Sequence, residues 1–116
     1  MANFTMTRGD TMILSGTTTL GGDPYDLSGA TLLFTAKNRY TDDDVDAVFQ
    51  KSVGDGITVV SAAQGLFTVE IEPDDTADVP KVQTVLFWDT QVVDSESKKY
   101  TIASGKLIIK PDVTDA

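Results

Sequence analysis

The sequence contains no cysteine and no histidine among its 116 residues. The missing cysteines exclude disulfide bonds, thiol nucleophiles and cysteine-ligated zinc, and the missing histidines exclude an imidazole general base and histidine-ligated haem. Stability therefore cannot depend on an oxidising compartment. Chemistry by carboxylates alone, by a Ser–Lys pair or by tyrosine stays open, but the composition favours a protein that is not an enzyme.

The chain also lacks any continuous apolar run near the roughly 20 residues that a membrane helix needs. Residues 1–8 contain neither the basic segment nor the long apolar segment of a signal peptide. We therefore expect a soluble protein that is made in a cytosol and has no membrane partner.

Positive charge is scarce, because nine Lys and Arg stand against 18 Asp and Glu, for a net charge of −9. An acidic surface repels phosphate backbones, so nucleic-acid binding would need a basic patch. The nearest candidate, Lys98-Lys99, lies beside Asp94 and Glu96 and is too small. We expect no nucleic-acid partner and interpret the acidity mainly as a solvation feature, with a basic partner surface as the alternative.

What the sequence does contain is a succession of short β-type segments separated by turn residues. In the region from Gln83 onward, an apolar run over 85–93 is followed by a turn cluster at 94–97 and a second run over 100–110. Successive strand side chains alternate between faces. One face of the first run is therefore predicted to hold Leu86, Trp88, Thr90 and Val92.

Similar segments occur along the rest of the chain at a spacing of roughly 8–12 residues, which is typical of an antiparallel β-sandwich. Residues 73–80 are predicted to form one helical turn that crosses between the sheets, capped by Asp74 or Asp75 and ended by Pro80. A small barrel is the alternative fold. The further predicted strands are 12–20, 30–37, 47–52, 57–60 and 66–71.

The expected architecture is a single domain over residues 1–116 with about 7–8 strands around one core. Large apolar side chains on alternating strands usually pack inward. Phe34, Phe67 and Trp88 are therefore predicted to lie in the core.

The acidic segment 42–46 is the best candidate for a metal site. Asp42, Asp44 and Asp46 have the first three ligand spacings of a calcium loop. Ala47 stands where the sharp-turn glycine is needed, and Val53 stands where the closing glutamate belongs. We therefore favour a solvated loop, with charges that discourage strand-to-strand aggregation, over a calcium site, and predict no metal ligand.

A second acidic group, Asp74, Asp75 and Asp78, is interpreted as a helical cap and an exposed face. Glycoside hydrolysis needs two carboxylates set across a cleft at a defined separation, and nothing in the sequence selects such a pair. No catalytic residue is predicted.

Two short motifs have a functional interpretation and a simpler structural one. The tripeptide Arg8-Gly9-Asp10 is known from integrin ligands, but three residues are a weak signal, and a turn before the Met12 strand is favoured. The glycine-rich segments 21–22 and 54–56 lack phosphate-loop spacing and a following helix, so they are interpreted as hairpin turns. No cofactor-binding residue is predicted.

Three tyrosines, Tyr25, Tyr40 and Tyr100, are candidates to line a carbohydrate-binding surface. They are scattered along the sequence, so the sequence does not decide between this role and an ordinary surface position.

The order of several motifs along the chain is similar to that in a known family. The segments in question are Arg8-Gly9-Asp10-Thr11, the 24–31 unit Pro-Tyr-Asp-Leu-Ser-Gly-Ala-Thr, Gly65 to Val69, Asp75 to Pro80, Trp88 to Val92, Tyr100 to Gly105, and Ile109 to Thr114. In this order the chain resembles the N-terminal immunoglobulin-like domain of phage upper baseplate proteins of the BppU type.

The resemblance implies an immunoglobulin-like sandwich that serves as a non-enzymatic structural or adaptor protein of a tailed-phage virion, in the tail, the baseplate or as a capsid decoration. Such a protein is made in the host cytoplasm and binds other virion proteins in repeated symmetric copies, through sheet edges and loops. We also expect residues 1–8 to add a strand to a neighbour. The alternative is a virion module that binds a host-surface protein or a carbohydrate, and no cofactor is implied.

Overall fold

The computed structural model describes residues 2–20, 22–39 and 41–113, and within these ranges it is built almost entirely of strands. The all-β prediction is confirmed, and nowhere in these ranges is there a helix with the length and apolarity to span a membrane. Two 3₁₀ turns occupy Asp44–Asp46 and Pro73–Thr76. The strands are β1 (Ala2–Thr7), β2 (Met12–Thr17), β3 (Thr19–Leu20), β4 (Asp23–Pro24), β5 (Thr31–Lys37), β6 (Phe49–Val53), β7 (Gly56–Ser61), β8 (Leu66–Ile71), β9 (Thr84–Val93) and β10 (Lys99–Lys110).

Eight strands pair in the continuous order β1-β10-β9-β5-β6-β7-β8-β2, and β3 and β4 form a separate ribbon. The pairing is shortest between β6 and β7, where Ser52 is in register with Gly56 and Val53 with Ile57. The sheet folds over between β6 and β7, because buried side chains from the strands before and after this point pack in one core. The result is a β-sandwich with β1, β10, β9, β5 and β6 in the first layer and β7, β8 and β2 in the second.

The layers have the immunoglobulin-like arrangement. Strands β10, β9 and β5 take the places of strands G, F and C of that fold, β6 takes that of C′, and β2, β8 and β7 take those of B, E and D. The barrel alternative is not adopted, because β1 and β2 end the order and do not pair with each other in the described residues. The antiparallel prediction needs one correction: β1 with β10, and β6 with β7, are parallel.

Strand β9 shows how alternating side chains build the core. The predicted core aromatics are confirmed, because Phe34, Phe67 and Trp88 are all buried. The predicted inward face of β9 is also confirmed, since it buries Leu86, Trp88, Thr90 and Val92. Burial of such side chains supplies most of the stabilising free energy of a domain of this size.

The predicted helical crossing between the layers is a shorter 3₁₀ turn than expected. The carboxylate of Asp75 accepts a hydrogen bond from the amide of Glu72 at 2.7 Å, as the capping prediction requires. The turn ends at Thr76, however, and the prediction that Pro80 ends it is wrong. Beyond Thr76, the guanidinium of Arg8 donates to the carbonyl oxygens of Ala77 and Val79.

The first segment of the chain is part of the domain's own sheet. Residues Ala2–Thr7 pair in parallel with β10, from Ala2 opposite Gly105 to Thr7 opposite Lys110. One edge of this segment is therefore used within the domain, and the expectation that the segment adds a strand to a neighbouring protein stays a prediction that concerns its other edge. The other edge of β1 remains without a strand partner among the described residues.

Candidate docking site

The Arg8-Gly9-Asp10 tripeptide forms the turn between β1 and β2, as predicted, and its arginine is held against the protein. The side chain of Arg8 is 13% exposed, and its guanidinium forms an ion pair with Asp112 at 3.1 Å. Its Nε donates to the carbonyl oxygen of Val79 at 2.9 Å, and its Nη2 donates to that of Ala77. This arginine therefore fastens the β1–β2 turn to the crossing segment, and its side chain is not free to act as a receptor ligand.

The acidic segment 42–46 is tied to the first layer by a lysine. The ammonium of Lys37 lies 2.8 Å from the Asp44 carboxylate and donates to the carbonyl oxygen of Asp42, also at 2.8 Å. The hydrogen bond from Lys37 lowers the pKa of the Asp44 carboxyl, and the same bond raises the pKa of Lys37. In the described ranges, no three acidic side chains converge as a metal site would require.

The second acidic group also acts within the fold. Asp75 lies 2.7 Å from the ammonium of Lys51, and Glu72 lies 3.9 Å from it. The lysine side chain is only 6% exposed, so these carboxylates compensate a buried charge. Asp74 and Asp78 are exposed.

The candidate tyrosines do not form a common platform in the described residues. Tyr25 and Tyr100 line a pocket of about 10 Å³, which is about the size of one water molecule. Tyr40 lies outside the described residues. This arrangement offers no room for a sugar ring.

A shallow hollow of about 100 Å³ lies on the outer face of the first layer. Burial raises the pKa of the Asp89 carboxyl in this hollow, and the nearby Lys37 ammonium partly opposes that rise. The hollow offers hydroxyl, carboxyl and aromatic groups to a polar ligand. Its lining includes Thr35, Lys37, Phe87, Asp89, Thr101 and Ser104.

A larger and mainly apolar groove of about 160 Å³ lies between the two layers, at the side of the sandwich formed by β1, β10 and β2. Phe4 of β1 and Ile102 and Ala103 of β10 form one wall, and residues 14–17 of β2 form the other. The rings of Phe34, Phe67 and Trp88 lie at its base. Because β1 and β2 are the two unpaired ends of the strand order, this groove is flanked by free sheet edges.

The aromatic rings behind the groove form a continuous cluster. The ring centroid of Trp88 lies 5.4 Å from that of Phe4 and 5.2 Å from that of Phe34. The indole nitrogen of Trp88 is buried and has no hydrogen-bond acceptor in the described residues. A buried N–H group without an acceptor lowers the stability of a fold by about 1–3 kcal/mol. One hydrogen-bond donor next to the groove is therefore left without a partner in the described residues.

The sequence predicted Trp88 as a core residue but gave no signal for the groove. The residues that form its walls come from β1, β2 and β10, which are far apart in the sequence. One local indication was available in Gly16, where an added Cβ would collide with the ring of Phe67. A glycine within a strand often marks a close approach of this kind.

Comparison with models of protein families finds no match to this chain. A search among curated proteins likewise finds no relative.

Proposed function

We propose that this chain is a non-enzymatic structural or adaptor protein of a tailed-phage virion, which docks onto other virion proteins by protein–protein contacts. The observation that carries the docking part is the apolar groove flanked by the free edges of β1 and β2. Exposed sheet edges bind extended segments through main-chain hydrogen bonds, and a groove beside them supplies side-chain specificity.

The virion part of the proposal is supported by the order of sequence motifs, which resembles that of phage upper baseplate domains. Virion proteins of this kind act in repeated copies, so a modest contact at each site is multiplied by the symmetry of the particle. A net charge of −9 fits a protein that is kept soluble at high local concentration.

The direct test is a cryo-EM map of the producing phage into which this domain is fitted. Density at repeated capsid sites would support a decoration protein, and density at the tail or baseplate would support an adaptor. Absence of the chain from purified particles, checked by mass spectrometry, would overturn the virion role.

A second candidate function is a virion module that binds host-surface glycans. The observation that favours it is the outer-face hollow with Asp89, Phe87 and Ser104, since sugars are bound by carboxylates and hydroxyls next to an aromatic ring. A glycan array tests it: binding that is lost in Asp89→Asn and retained in Asp78→Asn would support this function over the adaptor role.

A further inference from the structure

We propose that the hollow on the outer face of the first layer accepts an arginine side chain of a partner protein, with the carboxylate of Asp89 as its counterion. This inference adds a second contact to the groove and rests on the proposed function, because the docking role supplies the partner. It is carried by the shape of the hollow, by a carboxylate without a counterion and by the acidic surroundings.

The hollow lies over a row of short side chains that crosses three strands. Asp89 of β9 is in register with Ser104 of β10 and with Thr35 of β5. Residues directly opposite each other on neighbouring strands share one face of the sheet, so these three side chains form the floor. Longer side chains stand on the next row, where Phe87 is in register with Lys37. The result is a depression of about 100 Å³ near the middle of the layer.

The carboxylate of Asp89 has no counterion of its own. Its side chain is half-buried, and burial raises the pKa of the carboxyl. Within the described part of the chain it accepts no hydrogen bond and forms no ion pair. Withdrawing a carboxylate from water without pairing it is unfavourable. This charge therefore does not help to hold the fold together, and a cation from outside would compensate it.

The charged groups that act on Asp89 already neutralise each other. They are Lys37 and Asp44, whose ammonium and carboxylate lie 2.8 Å apart. Lys106, on the next row of the same face, is exposed and forms no ion pair with Asp89. The other carboxylates of the acidic segment 42–46 add negative charge beside this pair. The surroundings of the hollow are therefore net negative and attract a cationic group.

Arginine suits this hollow better than lysine. A guanidinium is planar, has several N–H donors and is more weakly hydrated than an ammonium, so it tolerates partial burial. Beside the Asp89 carboxylate, the hydroxyls of Ser104 and Thr101 offer further acceptors, and Phe87 offers an apolar wall to the aliphatic part of the side chain. The volume of about 100 Å³ is below the roughly 150 Å³ of a cavity that holds benzene, and a guanidinium is smaller than benzene.

Charge argues against a second copy of this chain as the occupant, because two chains of charge −9 repel each other. The sequence has two arginines, Arg8 and Arg39. Arg8 is held by Asp112 and by two carbonyl oxygens, which leaves the exposed Arg39 as the one that a second copy could offer. A basic surface on another protein complements both the hollow and the acidic segment 42–46. The partner is therefore a different protein with an exposed arginine.

Three short peptides of glycine and serine serve as probes, and they differ only at the central residue. It is arginine in the first, lysine in the second and citrulline in the third, which keeps the shape of arginine without its charge. Binding is followed by NMR titration of the isotope-labelled protein, which detects the weak affinity of a single side chain. The amides of Asp89, Ser104 and Thr35 should shift, and those of the groove wall at residues 14–17 should not.

We expect the arginine peptide to bind best and to bind more weakly as salt rises. The lysine peptide should bind about threefold more weakly or worse, and the citrulline peptide about tenfold more weakly or worse. Asp89→Asn should weaken binding of the arginine peptide by about tenfold or more. Asp78→Asn, which removes the same charge at an exposed position outside the hollow, should leave it within about twofold. Asp89→Asn removes a charge that folding disfavours, so unfolding would not explain its loss of binding.

A second pair of variants tests the shape of the hollow with the charge left in place. Ser104→Leu fills the floor and should weaken binding of the arginine peptide by about tenfold or more. Ser15→Leu makes the same change on the wall of the groove and should leave binding within about twofold. Should Ser104→Leu fail to fold, Thr101→Leu, at an exposed position of the same lining, takes its place.

Several results would overturn the proposal. These are equal binding of the arginine and citrulline peptides, equal binding of the arginine and lysine peptides, and full binding by Asp89→Asn. Glycan binding that is lost in Asp89→Asn, without binding of the arginine peptide, would assign the hollow to a sugar instead. Self-association detected by analytical ultracentrifugation and lost in both Asp89→Asn and Arg39→Gln would make a second copy the occupant.

Incorporation into particles separates this inference from the virion role. If the wild-type chain is absent from the virion, the virion role fails, and the peptide titration still decides whether the hollow accepts arginine. If the wild-type chain is present and Asp89→Asn enters particles at the same copy number, the hollow is not a docking contact, while the virion role stands. A lower copy number for Asp89→Asn, with Asp78→Asn unchanged, would support both.

Discussion

The ammonium nitrogen of Lys51 lies 2.7 Å from a carboxylate oxygen of Asp75, and this contact joins strand β6 of the first layer to the 3₁₀ turn that leaves the second layer. Both side chains are largely buried, at 6% and 16% exposure. The amide of Glu72 also donates to the Asp75 carboxylate, so one acidic group organises both the turn and the lysine.

Removing this lysine should leave a buried carboxylate without its cation. We expect Lys51→Met to lower the free energy of unfolding by about 2–4 kcal/mol, in line with other broken buried ion pairs. Urea unfolding followed by circular dichroism measures this. The exposed pair of Lys98 with Glu96 provides the control, since Lys98→Met should have almost no effect. A loss below about 1 kcal/mol for Lys51→Met would contradict a structural role for the pair.

A second prediction compares two glycines that share a left-handed backbone. Gly65 has φ +70° and Gly54 has φ +86°. An added Cβ at Gly65 would lie 2.5 Å from the carbonyl oxygen of Thr18, whereas at Gly54 it would meet open space. We expect Gly65→Ala to lower the free energy of unfolding by about 3 kcal/mol or more, from backbone strain and the close contact together. Gly54→Ala should lower it by about 1 kcal/mol, from backbone strain alone. Thermal unfolding of the two variants tests this, and equal losses would show that the contact with Thr18 is unimportant.

A third prediction concerns Asp89 and pH. Burial raises the pKa of its carboxyl in the folded protein, so the ionised form is disfavoured by folding. Asp89→Asn should therefore stabilise the protein modestly at pH 7. The gain should disappear as the pH falls below the ordinary carboxyl pKa of about 3.9, where Asp89 is neutral in both the folded and unfolded states.

The measurement for Asp89 is the melting temperature from pH 3 to pH 8. Asp78→Asn is the matched control, because it removes one negative charge at an exposed site. A stability difference between the wild type and Asp89→Asn that stayed constant over this range would contradict the assignment.

A fourth prediction addresses the aromatic cluster behind the groove. Phe4→Ala removes the ring that lies 5.4 Å from Trp88 and widens the groove. Since Phe4 is only half-buried, we expect a loss of about 2–3 kcal/mol, somewhat below that for a fully buried phenylalanine. The emission of Trp88 should move to longer wavelength. Ile13→Ala, at a side chain that is 61% exposed, should change neither property, and an unchanged emission in Phe4→Ala would contradict the packing described for β1.

Strand positions were the most predictable part of this protein. The inward set of β9 follows from alternation alone, because successive side chains of a strand point to opposite faces. The 3₁₀ turn at Pro73–Thr76 is shorter than the predicted 73–80. The prediction used Pro80 as the end of the turn, and a proline shows only where a helix cannot continue. The hydrogen bonds that hold the chain just after this turn come from Arg8, about 70 positions away in the sequence, and no local pattern announces them.

The sequence by itself determined that this chain lacks thiol and imidazole chemistry, that it is nearly all β, and which side chains of its main strands face inward. These properties follow from residue types and from a two-residue period, so each is fixed within a short stretch of chain. The tertiary structure alone decided that Arg8 binds the crossing segment and that β1 pairs with β10. It also decided that Phe4, Ala103 and residues 14–17 of β2 enclose a groove. Those features depend on where two layers end relative to each other, and that position is set by the packing of the whole core.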